Sequence, residues 1–418
     1  MRVSFWGVRG STPSAHRDTC RYGGNTPCLE VRAGEQLLIL DAGTGLPELG
    51  RTLLSELVAP GLAADVLLTH YHWDHLQGLP FFEPLFQPGN SFRFLGPSWA
   101  APGSQGKGGV RGAFAALFAP PFFPVSADKL PAACRFQELD WVNDFTLGEV
   151  RVRTCRTHHP QGALAYRLEQ EGVAIVYATD HEPGNADADL ALRQLARGAQ
   201  LLITDAQYDP EDLRALPAGQ AGAKVGWGHG SWEAAAQLAR DAGVKNLVLF
   251  HHDPRRLDHE LDDILTRART IFPRTFAAQE GMHFDLQASD TQLWARRGRL
   301  SQRVPLPLAV QVEASEAGNR IRHDARLENL SFQGAYLLSS RQYDLEQPIE
   351  IVLPIATNGH TAAGSSPAHE VRLRGSVTRI QPLTTNGGWA GVGISFAEPA
   401  SVDAVAVPTD GRGPSREN

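Results

Sequence analysis

The chain has 418 residues, 20% of them charged and 42% hydrophobic, and a formal net charge of -7. That length accommodates two domains, each able to bury its own core, and the acidic balance argues against a general polyanion binder while leaving local basic sites open. The amino terminus, MRVSFWGVRGSTPS, lacks a basic region followed by a long apolar stretch, and no apolar run approaches the roughly 20 residues that span a bilayer, so a cytoplasmic protein is expected.

In chain order, QLLILDAGTG, ADVLLTH, VAIVYATD, AQLLITD and KNLVLFHH each read as a short buried strand that ends on a polar or ionisable residue. Phe81 to Val125, rich in glycine, proline and phenylalanine, reads as a long loop or small helical insertion able to cover a site. SWEAAAQLARDAG predicts a helix capped by Ser231 and stopped by Gly243. The cysteines Cys20, Cys28, Cys134 and Cys155 form no C-x-x-C pair and read as reduced packing residues. Beyond HFDLQASDTQLWA the texture changes to a basic cluster, RRGRLSQR, and then to short alternating strands such as PLPLAVQVEA, GAYLLSS, IEIVLPI and GVGISF, which predict a small antiparallel barrel. TNGHTAAGSSPAH reads as a flexible hairpin loop, and the last residues as a disordered tail. The expected division is 1-290, 291-405 and a tail over 406-418.

The densest chemistry lies in LLTHYHWDHLQGL, where His70, His72, Asp74 and His75 follow an apolar run. Imidazoles two residues apart at a strand end point the same way, and the next turn presents Asp74 and His75 to a neighbouring point, so one segment can serve two ions. Histidine and carboxylate without thiolate suit zinc, manganese or iron, and a pair of such ions is a recurring hydrolytic device.

With FWGVRGSTP, YGGNTPCLEV and LLILDAGTG, this H-x-H-x-D-H segment resembles the metallo-β-lactamase fold superfamily over about the first 290 residues. The resemblance implies an αββα sandwich with two divalent metal ions at one edge of its sheets, zinc foremost. His70 and His72 are implied to share the first metal with His159, His158 being the alternative. The second metal would take Asp74, His75 and His251, with His252 open, and Asp180 would bridge. Asp41 and Asp205 are implied to orient these groups without binding metal. GWGHGSWEAA resembles the G-H-S/T segment of the ribonuclease Z and cyclic phosphodiesterase branches, which implies that His229 acts with Asp74 in catalysis, contacting a phosphoryl group or protonating a leaving oxygen. A large nucleic acid fits this chain poorly, since GSQGKGGVRG offers only Lys107 and Arg111.

Arg299 and Arg303, then LENLSFQGAYL with Asn329, Ser331 and Gly334, resemble the PilZ domain motif R-x-x-x-R followed by D/N-x-S-x-x-G. That resemblance implies a small all-β domain that binds cyclic di-GMP, with arginine forks suited to guanine edges and Gly334 allowing close backbone approach. Together the two halves read as a dinuclear-metal phosphodiesterase for a cyclic nucleotide or other small phosphodiester, responsive to cyclic di-GMP. Protein partners or self-association are compatible with this. A metal-dependent thioester or lactone hydrolase, and a non-catalytic cyclic di-GMP effector, are the alternatives.

Overall fold

The computed structural model describes residues 1-56, 61-98, 108-214, 216, 220, 223-287, 296-297, 304-316, 319-331, 334-341, 343-344, 347-354, 370-382 and 390-396. Two compact units divide the chain, Met1–Gly298 and Arg299–Asn418. In the first, β1 (Arg2–Gly7), β2 (Cys28–Ala33), β3 (Gln36–Leu40), β4 (Ala63–Leu67), β5 (Ser91–Pro97) and β6 (Ala133–Leu139) lie side by side in that order. A second sheet follows from β7 (Asp144–Leu147), β8 (Val150–Thr157), β9 (Ala163–Gln170), β10 (Val173–Ala178), β11 (Leu201–Asp205), β12 (Leu247–Phe250) and β13 (Thr275–Ala277), again in sequence order. The chain then returns to the first sheet, with β14 (Met282–Asp285) beside β1 and β15 (Arg296–Arg297) beyond it. This last pairing carries the first unit past residue 290.

Alternation along the strands explains the layering. Leu38 and Leu40 of β3 join Ile175 and Tyr177 of β10 in an apolar cluster between the sheets, while Ile39 and Val176 belong to separate clusters on the outer faces. Helices α1 (Leu46–Glu56) and α2 (Gly109–Leu117) cover the outer face of the first sheet through Leu46, Leu49, Leu53 and Phe114. On the second sheet, α3 (Ala186–Ala196), α5 (Trp232–Ala242) and α6 (Asp258–Ile271) contribute Leu192, Ala236 and Ile264, while the short α4 (Pro210–Arg214) precedes α5 in the chain. The result is an αββα sandwich. Ser231 caps α5 by accepting from the Ala234 N–H at 3.3 Å, and Gly243 ends it at φ 63°.

Phe81–Val125, expected as a long loop or small helical insertion, holds a short helix and also an unexpected strand. It contains the interior strand β5, paired in parallel with β4 and β6, and the helix α2. SFRFLGP hid this strand because it carries Arg93 and ends on Gly-Pro; Arg93 is held by Asp65 at 2.5 Å. Residues 99-107, including Lys107, lie outside the described residues. All four cysteines are free thiols. Among the described residues no helix is long and apolar enough to cross a membrane.

In the second unit, β16 (Val304–Glu316), β17 (Asn319–Ser331), β18 (Gly334–Ser339), β19 (Pro348–Pro354), β20 (Glu370–Pro382) and β21 (Ala390–Phe396) close a barrel in the order β16-β17-β18-β21-β20-β19. Val310, Val312, Leu327, Leu337, Ile351 and Ile394 fill its interior. Asn329 pairs with Tyr336, and Ser331 with Gly334, where β17 turns into β18. Arg299, Arg303, the 357-369 loop and the 406-418 tail lie outside the described residues.

Candidate active site

Strand direction brings the ionisable residues together. β3 and β4 run parallel, as do β10, β11 and β12, and β8 shares that direction because it is antiparallel to β9, which is antiparallel to β10. Their carboxyl ends therefore open on one edge, where open α/β sheets place ligands. Asp41 follows β3, the His70–His75 segment follows β4, His159 follows β8, Asp180 follows β10, Asp205 ends β11 and His251 follows β12. Asp41, Asp180 and His251 adopt positive φ of 58°, 57° and 60°. Such backbone costs about 1-3 kcal/mol at a non-glycine residue and persists where surrounding contacts enforce it.

At the centre, Asp180 divides its carboxylate between two groups. Its Oδ1 lies 3.8 Å from His70 Nε2 and 3.7 Å from His159 Nε2, while Oδ2 lies 3.3 Å from His75 Nε2 and 3.5 Å from His251 Nε2. His70, His72 and His159 bring one donor atom each within 4.8 Å of one another, as do Asp74, His75 and His251. Asp74 Oδ2 is 3.2 Å from the Nε2 atoms of both His75 and His251.

Every one of these imidazoles is anchored through its other nitrogen. His70 Nδ1 meets Thr69 Oγ1 at 3.0 Å, His72 Nε2 meets Gln161 Oε1 at 3.3 Å, and His159 Nδ1 meets the Gly228 carbonyl at 3.0 Å. His75 Nδ1 meets Asp41 at 2.8 Å, and His251 Nδ1 meets Gln207 Oε1 at 2.9 Å. Asp41 also accepts from Tyr177 and Thr69, and the Ser11 N–H donates to Asp74. Partners of this kind fix ring orientation and raise ligand basicity in metal sites. Thr69, Gln161, Gln207, Tyr177 and Ser11 were not anticipated from sequence, and the Gly228 carbonyl had no residue type to betray it.

The donor set fits divalent cations. Nε2 of His70 and of His75 are buried without a hydrogen-bond partner, an expensive condition for polar atoms that a metal relieves. Burial alone would lower the His75 pKa, yet Asp74, Asp180 and Asp41 raise it well above the usual range, so these buried carboxylates demand positive charge at this point. The same centre holds Asp180 well below the ordinary carboxylate range, against its burial, through His251, His75, His70 and His159.

The paired histidines separate by orientation. His158 is exposed and bonds the Glu182 carbonyl at 2.8 Å, whereas His159 is buried and faces Asp180. His252 turns away to donate to the Ala278 carbonyl at 3.0 Å, and burial with the nearby Arg9 lowers its pKa to about 3. His229 reaches the centre from the loop before α5, its Nδ1 2.9 Å from Asp205 and 3.7 Å from Asp180, with its ring stacked on His251 at 5.0 Å. Burial lowers its pKa, but Asp205, Asp180 and Asp74 outweigh that and raise it to about 9. Asp205 accepts as well from the N–H groups of Asp180, Gln207 and Gly230, so it ties the second-sheet loops together.

This edge-on cluster of histidines and carboxylates on an αββα sandwich defines a class that comparison makes specific. The family profile described as "Beta-lactamase superfamily domain" matches residues 38-252. Ribonuclease Z of Mycobacterium sp. (strain KMS) is 30% identical over 301 residues, covering 68% of this chain and 95% of that enzyme. Ribonuclease Z of Brevibacillus brevis is 36% identical over 115 residues, which span 27% of this chain and 32% of the enzyme. Among solved structures, the short form of human tRNase Z is 21% identical with a TM-score of 0.47, covering 69% of this chain and 100% of that one.

The chain belongs to the β-lactamase superfamily, with the metallo-β-lactamase fold. It is a metal-dependent hydrolase.

Proposed function

We propose that this hydrolase cleaves phosphodiesters, with His70, His72 and His159 holding one divalent cation, Asp74, His75 and His251 a second, and Asp180 spanning both. When bound, the cations supply Lewis-acid activation of water and neutralise charge that builds on phosphoryl oxygens. The observation that carries the substrate class is the His229–Asp205 pair. Asp205 accepts the Nδ1 proton at 2.9 Å and favours the imidazolium, which leaves Nε2–H to donate to a phosphoryl or leaving oxygen. Asp74, fixed by the Ser11 N–H at 2.8 Å, is oriented toward the same space as His75 and His251.

A cyclic nucleotide or other small phosphodiester is the leading substrate. RNA is the second reading, favoured by the ribonuclease names of the relatives, which count against the expectation that a large nucleic acid fits this chain poorly. Turnover of bis-p-nitrophenyl phosphate, a cyclic nucleotide, a precursor RNA, a thioester and a lactone by the metal-loaded protein tests this. Hydrolysis of the thioester or lactone with inertness toward every phosphodiester overturns it.

For the second unit we propose a PilZ-like regulatory role, with Arg299, Arg303, Asn329, Ser331 and Gly334 gripping cyclic di-GMP. Its support is the motif order together with a closed six-stranded barrel in which β17 carries Asn329 and Ser331 and β18 opens on Gly334.

A further inference from the structure

We propose that Trp73, with Phe81 and Phe122, forms a stacking subsite for the nucleobase of the substrate. The inference rests on the phosphodiesterase reading and extends it to the group that the phosphate carries.

Trp73 sits in the chain between His72 and Asp74, whose side chains both turn to the centre, yet its indole is 64% exposed. Phe81 and Phe122 are 64% and 75% exposed. Large aromatic side chains left in water mark recognition surfaces when they cluster, and these three line a single cavity of about 280 Å³. Its back is built rather than accidental. Phe123 meets Phe81 edge-on at 6.0 Å and is itself wedged against buried Phe118 at 5.4 Å. The Trp73 carbonyl accepts from the N–H groups of Leu76 and Gln77 at 3.1 and 2.9 Å, so the short helix that orients Asp74 and His75 also holds the backbone of Trp73.

A planar, partly polar occupant suits these walls better than an aliphatic one. Aromatic faces stack on any base, while Gln77, whose amide nitrogen donates to Thr26 at 3.3 Å, lines the cavity with a carbonyl oxygen able to accept from a base edge. Trp73 is the chain neighbour of two residues of the centre, and in this proposal the nucleoside attached to a phosphate held there lies over its indole.

The test uses the full-length, metal-loaded protein and two esters that release the same phenolate, thymidine 5′-(p-nitrophenyl) phosphate and ethyl p-nitrophenyl phosphate. In Trp73→Ala the ratio of kcat/KM for the thymidine ester over the ethyl ester falls about tenfold, chiefly through KM, and Trp73→Phe restores most of it. An unchanged ratio overturns the proposal. Calorimetric binding of adenosine 5′-monophosphate gives a readout without turnover: about tenfold weaker binding is expected in Trp73→Ala and in Phe122→Ala. Nucleotide binding that depends on Trp73 in a protein that hydrolyses neither ester supports the subsite and sinks the phosphodiesterase reading alone. Equal nucleotide affinity, with either variant converting a sedimenting dimer to monomer, overturns the subsite and assigns the patch to a second copy of the chain.

Discussion

Asp41 and His75 meet at 2.8 Å with both side chains wholly buried, and the imidazole is thereby turned so that Nε2 faces Asp74 and Asp180. Asp41→Ala removes this anchor and leaves the buried Thr69 and Tyr177 donors unpaired. Affinity for the more weakly held metal is expected to fall about 10- to 100-fold, as for other partners of ligating histidines. Metal titration read against melting temperature checks this, and unchanged affinity in a folded variant would contradict the anchoring role.

Asp180 is the carboxylate common to both clusters, so Asp180→Ala should lower metal stoichiometry as well as turnover. The protein is expected to retain at most one tightly held divalent ion after dialysis, against two in the parent, by elemental analysis. Two retained ions would show that the clusters bind independently of this side chain.

Gly228 lies at φ 86°, and a Cβ there would fall 2.0 Å from His159 Nδ1. Gly228→Ala should displace His159 and reduce both metal binding and stability, by about 1-3 kcal/mol for the strain alone. Gly198, at φ 64° with nothing within 4 Å of its Cβ position, is the control: Gly198→Ala carries backbone strain without touching the site. Equal metal affinity in the two variants contradicts the contact argument.

His229 contributes to pH dependence with a definite sign. Its folded pKa, raised to about 9, exceeds the ordinary histidine value of about 6.5, so its contribution to stability of the metal-free protein is complete below about 6.5 and fades as pH rises through about 9. His229→Gln should flatten that segment of the stability profile. In the metal-loaded enzyme the same substitution should lower kcat about 10²- to 10⁴-fold, the usual range for a lost general acid. A kcat within a few-fold of the parent rules out proton donation by this group.

Cyclic di-GMP binding to the second unit should depend on the arginine pair. Calorimetry is expected to show loss of binding in Arg299→Ala and Arg303→Ala, and phosphodiester turnover should change at saturating nucleotide in the parent. Binding without any change in rate would confine the nucleotide to partner selection.

Much of the first unit was legible because its signals are local. LLILD, VLLTH, VYATD, LLITD and LVLFH each combine a buried strand with an ionisable end, and both belong to one stretch of chain. Ser231 and Gly243 marked helix α5 for the same reason, since capping and left-handed backbone are properties of single positions. The β5 strand escaped notice because its burial comes from remote segments: Phe92 and Phe94 pack with Phe114 of α2 in the outer cluster and Leu95 packs between the sheets, and only the assembled sandwich supplies those neighbours.

The sequence alone was enough to name the chemistry of the first unit, histidines and carboxylates at strand ends. Tertiary structure decided which nitrogen of each imidazole faces inward, that His159 and His251 turn to Asp180 while their chain neighbours turn away, and that Thr69, Gln161, Gln207 and the Gly228 carbonyl hold the rings. Residue type sets what a side chain can donate or accept, but its direction depends on backbone dihedrals and on partners remote in sequence. At Asp41, Asp180 and His251 those dihedrals are left-handed, a conformation that packing against distant segments enforces and that no local pattern foretells.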